Sequence, residues 1–238
     1  MSTSKGAWLL LRYEWRQNWL GSLVTLLLAT YIVAFTFPLY KVNDFSQEAF
    51  LAGTIDFIML CIVPCLGFFM NQTTFRNVKE DYTARKLAAM RAMPITVKQI
   101  AAGRVMSMLS LLLPMWIYFF TMIFLLSVWF FQQSWVQLLN YALFWLGYAV
   151  FMSVVYLIME LGFASRKYLL SCIGTLPLFA AVVLLCRLSG HSLVGDLLGA
   201  AAVHNWRPAL GALLAGAVSI LAGVPLLASI ISRRSLLG

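Results

Sequence analysis

Charge is what this sequence has least of. Aspartate and glutamate together number 8 in 238 residues, and charged residues of every kind make up 11%. That is less than half the share usual in a soluble domain. With 62% hydrophobic residues alongside it, this scarcity excludes a soluble globular domain, a disordered chain and a fibrous repeat. Histidine occurs only twice and cysteine four times. Cys61, Cys65, Cys172 and Cys186 sit inside apolar runs, apart from His191 and His204. A zinc site needs such ligands clustered, so no metal is expected and the cysteines read as small packing residues. There is no Glu-Glu pair, no Asp-x-x-Asp and no histidine within a long apolar run, which argues against a membrane-embedded enzyme. No Gly-Lys dipeptide occurs, so no phosphate-cradling P-loop is present.

What is abundant is long apolar runs. Hydrocarbon offers backbone amides no hydrogen-bond partners, so a crossing segment is a helix or part of a closed barrel. Barrel strands alternate apolar and polar residues over short stretches, and these runs do not. The expected fold is therefore all-α, a polytopic membrane protein with one transmembrane domain over residues 1–238. A helix needs about 20 apolar residues to cross the core. The gaps between charges predict six transmembrane helices, at about 20–40, 53–71, 105–131, 136–160, 168–186 and 208–232. The uncharged run from Val105 to Met159 is too long for one helix and divides at Gln132-Gln133-Ser134. Residues 187–207 hold apolar pieces too short to cross and read as a re-entrant or interfacial segment before span six. The first apolar run is too long for a signal peptide and lacks a small-residue cleavage pattern, so span one is expected to stay.

Six spans put both termini on one side. Of the 17 lysines and arginines, all but Lys41, Arg187 and Arg207 fall in the N-terminal segment, the loop between spans two and three, the loop between spans four and five, or the tail. Cytoplasmic loops carry the excess of basic residues, so both termini are expected in the cytoplasm. This asymmetry also accounts for the net charge of +9 without any nucleic-acid partner. Asp56 at the outer start of span two and Glu160 at the inner end of span four read as residues that reach an interface. Arg187 reads as an interfacial anchor. Pro64, Pro114, Pro177 and Pro225 lie within spans, where proline removes a hydrogen bond and kinks the helix.

Residues 1–19 read as an N-terminal interfacial helix. At about 100° per residue, Trp8, Trp15 and Trp19 share an arc, with Arg12 and Arg16 beside it to reach lipid headgroups. The loop 72–104 is the most informative stretch. Asp81 precedes Arg85 by one helical turn, a stabilising pair. Residues 82–92 favour helix and Pro94 stops them, pushing Met93 towards an extended conformation. Thr96 and Gln99 fit a capping box, so a new helix starts near Val97 and runs into span three. Leu87, Met90 and Met93 form an apolar ridge in a basic setting. From the pattern alone, a docking element and an amphipathic helix lying on anionic lipid fit equally.

The run Arg85-Lys-Leu-Ala-Ala-Met-Arg-Ala-Met-Pro-Ile-Thr96, followed by Ile100-Ala-Ala-Gly-Arg104, resembles the cytoplasmic loop of type-2 ABC exporter permeases. Leu10-Leu-Arg-Tyr-Glu-Trp-Arg16 is similar to that family's N-terminal helix. The resemblance covers the layout of the whole chain, and in residues about 10–16 and 79–104. It implies a permease subunit with no ATPase site of its own, not an enzyme, acting with an ATP-binding-cassette ATPase subunit that binds ATP and Mg, and with a second permease chain, identical or different. It implies that 82–92 is a coupling helix seated in the ATPase. Leu87, Met90 and Met93 would supply packing, Arg85, Lys86 and Arg91 charge complementarity, and Pro94 the angle to span three. The implied location is the bacterial plasma (inner) membrane. The implied activity is export of a hydrophobic or amphipathic substrate such as a drug, antibiotic or antimicrobial peptide. A lipid or polysaccharide-precursor exporter of the same family, a membrane-embedded enzyme and an ATP-independent channel are the alternatives.

The charge asymmetry makes a topological prediction. A fluorescent protein fused after Gly238 should be bright, and a phosphatase active only outside the cytoplasm should be silent there. The reverse pattern would refute a cytoplasmic C-terminus.

Overall fold

The computed structural model describes residues 3–36, 49–68, 96–131 and 134–233, together with Leu87 and Met90. All regular structure among them is helical: α1 (Thr3–Thr36), α2 (Ala49–Ile62) continuing into a 3₁₀ turn (Val63–Gly67), α3 (Val97–Phe131), α4 (Trp135–Gly162), α5 (Ser165–Leu188), α6 (Leu193–Ala202) and α7 (Arg207–Arg233). Five of these helices, α1, α3, α4, α5 and α7, are long and apolar enough to cross a membrane, and α2 and α6 are shorter apolar helices. The chain is thus an all-helical, multi-pass type of protein, with five long candidate spans where the charge gaps predict six.

Local chemistry explains the boundaries. The predicted capping box is present: the Thr96 N–H donates to Gln99 Oε1 (2.9 Å) and the Gln99 N–H to Thr96 Oγ1 (3.3 Å). Together they satisfy two donors that a helix N-terminus leaves orphaned, and α3 begins at Val97 as expected. The long uncharged run divides between Phe131 and Trp135, with Ser134 extended ahead of α4. The N-terminal segment and span one run on as α1, two helical stretches that meet at a kink. α1 bends at Asn18, whose backbone leaves helical geometry (φ −115°, ψ 18°). At about 1.5 Å per residue α1 is about 51 Å long, well beyond the ~30 Å hydrocarbon core.

Pro64 does more than kink span two. It lies in the 3₁₀ turn and has no N–H to offer the carbonyl four residues back, which belongs to Leu60. The Tyr148 hydroxyl donates to that oxygen at 2.8 Å. Further along, Ser153 donates to the Pro64 carbonyl (3.1 Å), and the Thr25 hydroxyl is shared between the carbonyls of Gly21 (2.9 Å) and Phe68 (3.2 Å). The Cys65 thiol serves the Cys61 carbonyl (3.2 Å). Hydroxyls on α4 and α1 thereby replace the ladder that the turn interrupts, as an apolar solvent demands.

α4 and α7 make the closest helix pair. A Cβ placed on Gly147 would stand 2.2 Å from the backbone carbon of Ala212, and one on Gly216 would stand 2.9 Å from the Gly147 carbonyl oxygen. Small residues let backbones approach where hydrocarbon provides no hydrophobic drive between helices. The N-terminal part of α1 packs on α3 similarly, with Leu10 over Gly103 and Gln99 over Gly6. A continuous apolar core links these pairs and contains Ile55, Leu66, Leu111, Leu112, Phe119 and Trp145. α5 lies outermost, with Leu170, Leu178, Leu184 and Leu185 exposed.

Gly147→Leu should therefore abolish a folded, monodisperse product or lower its thermal midpoint by many degrees, because backbone cannot move aside. Gly211→Ala, where a Cβ meets nothing within 4 Å, should leave the midpoint nearly unchanged. Equal melting of Gly147→Leu and the parent would refute the close approach.

Candidate functional site

Among the described residues two buried ionic junctions stand out, in a chain with so few charges. The first lies at the start of α3. Arg104 donates through Nη1 to Glu14 Oε1 (2.7 Å) and through Nη2 to Glu160 Oε1 (2.6 Å). One guanidinium therefore ties α1, α3 and α4 together. Glu14 is almost fully buried, at 3% side-chain exposure. Nearby, the Trp15 indole N–H donates to Ser110 Oγ at 2.8 Å, a second tie from α1 to α3. Two carboxylates in one low-dielectric corner would repel each other without the arginine between them. The planar fork of arginine suits such bridging, where lysine would offer only a point charge.

Leu87 and Met90 join the core as well. Both are helical and buried, at 2% and 4% exposure, in the same core as Ile100 and Ala101. These two ridge residues thus face the chain's own bundle. Arg85, Lys86, Arg91, Met93 and Pro94, the rest of the predicted docking set, lie outside the described residues. Of the five predicted headgroup anchors, Trp8, Arg12, Arg16 and Trp19 are exposed. Trp15 is half-buried and donates its indole N–H to Ser110. The bend at Asn18 separates the stretch that holds Trp8, Arg12 and Arg16 from the apolar remainder of α1, which opens with Trp19.

The second junction lies at the opposite ends of the spans. Asp56 has no solvent exposure. Its Oδ1 accepts the Val194 N–H (2.8 Å) and its Oδ2 the Leu193 N–H (3.1 Å). The Ser192 hydroxyl lies 3.2 Å from both oxygens, and Arg187 Nη2 lies 3.4 Å from Oδ2. Asp56 is therefore not a residue reaching for the membrane surface, and Arg187 is not a free interfacial anchor. Burial without partners would be prohibitive for either, and each is the other's remedy. Glu160 likewise turns to Arg104 rather than to an interface. In the sequence, these partners are separated by 56, 90 and 131 positions. Only the rarity of charge in long apolar runs hinted that they would have to meet.

Among the described residues no group of three or more histidine, cysteine or acidic side chains is placed to hold a metal ion. The chain matches no protein-family model, no curated protein and no solved structure.

Breaking a buried ion pair from one side costs about 3–5 kcal/mol, because a charge is left uncompensated. Arg104→Gln should lower the thermal midpoint of the purified chain accordingly. Adding Glu14→Gln and Glu160→Gln to it should recover much of the loss. A triple variant no more stable than Arg104→Gln alone would refute the account of Arg104 as a counter-charge.

Proposed function

We propose that this chain is the transmembrane permease subunit of an ATP-binding-cassette exporter, moving a hydrophobic or amphipathic substrate out of a bacterial cell. Its work is mechanical: a push received at the cytoplasmic loop 72–104 becomes a rearrangement of the helices. The observation that carries this reading is the Arg104 junction. The loop delivers straight into α3 through the Thr96–Gln99 box. Two turns later Arg104 fastens α3 to α1 and α4. A displacement of the loop is thus passed to three helices at once, which a mere linker would not need.

In this reading the second span is the composite of α2 and its 3₁₀ turn. Fourteen α-helical residues and five 3₁₀ residues rise about 31 Å, using about 1.5 and 2.0 Å per residue, enough for a ~30 Å core. That gives six spans with both termini cytoplasmic and 187–207 on the outer side. The exposed Trp8, Arg12 and Arg16 suit a stretch lying in the headgroup region, bent at Asn18 from the span that Trp19 opens. Buried Leu87 and Met90 hold the coupling segment on the bundle. Recognition of the ATPase then falls to Arg85, Lys86 and Arg91, with Met93 and Pro94 setting the exit towards α3. ATP and Mg belong to the ATPase, and a second permease chain completes the transporter.

The test is affinity purification of the tagged full-length chain from its native membranes in mild detergent. An ATP-binding-cassette ATPase should co-purify in stoichiometric amount, and Arg85→Glu with Arg91→Glu should remove it while the permease remains folded. A folded chain that retains no ATPase would overturn the proposal and favour an ATP-independent channel. An intact complex carrying both reversals would overturn the assignment of the basic residues. Transport of labelled amphipathic drugs against lipid-linked sugars in reconstituted vesicles separates the substrate classes.

A further inference from the structure

The short helix α6 hangs between two unusual backbone positions. Among the described residues, positive φ occurs at Gly190 (77°) and at His204 (54°), one on either side of α6. Gly190 ends α5: the His191 N–H returns to the Cys186 carbonyl and the Gly190 N–H to that of Arg187. His204 ends α6 in the same manner, with the Asn205 N–H on the Ala200 carbonyl and the His204 N–H on that of Ala201. Glycine suits this conformation freely, whereas a histidine there is strained. Each position is a sharp corner, so the ten residues of α6 form a strap joined to the long helices through one corner at each end.

Side chains from other helices hold the strap down. At its start, Asp56 on α2 receives the N–H groups of Leu193 and Val194 and the Ser192 hydroxyl, with Arg187 of α5 beside it. Ser192 itself caps α6 by accepting the Gly195 N–H at 3.2 Å. A carboxylate at this place also answers the positive end of the helix dipole. Beyond its end, the buried Asn140 of α4 donates to the Asn205 carbonyl at 3.0 Å. The polar holding is unequal. One neutral bond secures the far end, while a fully buried charge with several donors secures the near one. Beside these polar ties α6 lays an apolar face on the bundle: Val194 and Ala201 are buried in the core, and Leu193, Leu197 and Leu198 are half-buried against it.

We propose that Asp56 is a latch. While its carboxylate holds Ser192, Leu193 and Val194, α6 is closed against α2 and α4. When that hold is broken, α6 swings out on its corners at Gly190 and His204 while the long helices stay packed. The elements around the carboxylate include Arg187 on α5, and α6 and its leading turn carry the exposed pair His191 and Asp196, 3.2 Å apart. The neutral Ser192 completes the contact. The latch rests on these contacts alone and holds whatever drives or crosses the bundle.

The test uses the full-length chain in lipid nanodiscs, with its four cysteines replaced by serine. Val194→Cys, a site with no exposure, is reacted with a water-soluble maleimide. Leu111→Cys, equally buried in the long-helix core, is the control. Adding Asp56→Asn keeps the size, removes the charge and turns an amide towards the N–H groups. Labelling at 194 should accelerate roughly tenfold or more, in keeping with the loss of charge-assisted hydrogen bonds, while labelling at 111 stays slow. Arg187→Gln should accelerate labelling at 194 in the same direction by a smaller factor, and serves as the decisive variant should Asp56→Asn fail to fold. Unchanged labelling at 194 would overturn the latch. So would equal acceleration at 194 and 111, because Asp56 would then be holding the whole bundle together rather than one strap.

Discussion

Hydrocarbon cannot hydrogen-bond, and the architecture follows from that single constraint. Every backbone amide and every rare charge in the spanning region must find its partner within the protein. The helices meet most of this demand internally. The exceptions are where the structure becomes informative. At Pro64 the ladder of α2 stops, and hydroxyls from Tyr148, Ser153 and Thr25 meet the carbonyls of Leu60, Pro64 and Phe68. The second segment is thereby fixed to α4 and α1 by the polar groups that its own break exposed. A helix with a ladder intact throughout would pack by shape alone and could slide.

The charges obey the same constraint with larger energies at stake. Arg104 gathers Glu14 and Glu160 at one end of the bundle, and Asp56 gathers Arg187 and the start of α6 at the other. Ionised groups within spanning segments are costly and mark functional positions. Here they sit at joints rather than in a path: the first where the long loop enters α3, the second where a short strap closes on the long helices. Between them run the close backbone contacts of α4 with α7. A bundle with a closely packed middle and one ionic joint at each end is suited to passing a displacement from one face to the other. This is the mechanical core of the proposed permease role.

Much of the fold was legible in the sequence because it depends on runs and neighbours. Apolar runs bounded by charges located α4, α5 and α7, and the end of α3, to within a few residues. The Thr96–Gln99 box was readable because a capping box is a contact three residues long. The kink between the N-terminal segment and span one falls at Asn18, beside the boundary that the sequence places after residue 19. The extended α2 segment was readable as apolar, but not as a helix that tightens into 3₁₀ geometry at Pro64. The inward turn of Trp15 was hidden too, because its periodicity with Trp8 and Trp19 says which residues share a face and nothing about what that face meets.

The sequence by itself determined that the chain is helical, apolar enough to lie in a membrane, and basic chiefly in the stretches between its apolar runs. These follow from local hydropathy and from counting charges, which need no knowledge of who touches whom. The tertiary structure alone decided that Glu14, Arg104 and Glu160 form one junction, that Asp56 holds α6, and that Gly147 meets α7 backbone to backbone. Those pairings join residues far apart in the chain. The energy that selects them, the relief of buried charge and the fit of bare backbone, exists only once the helices have packed.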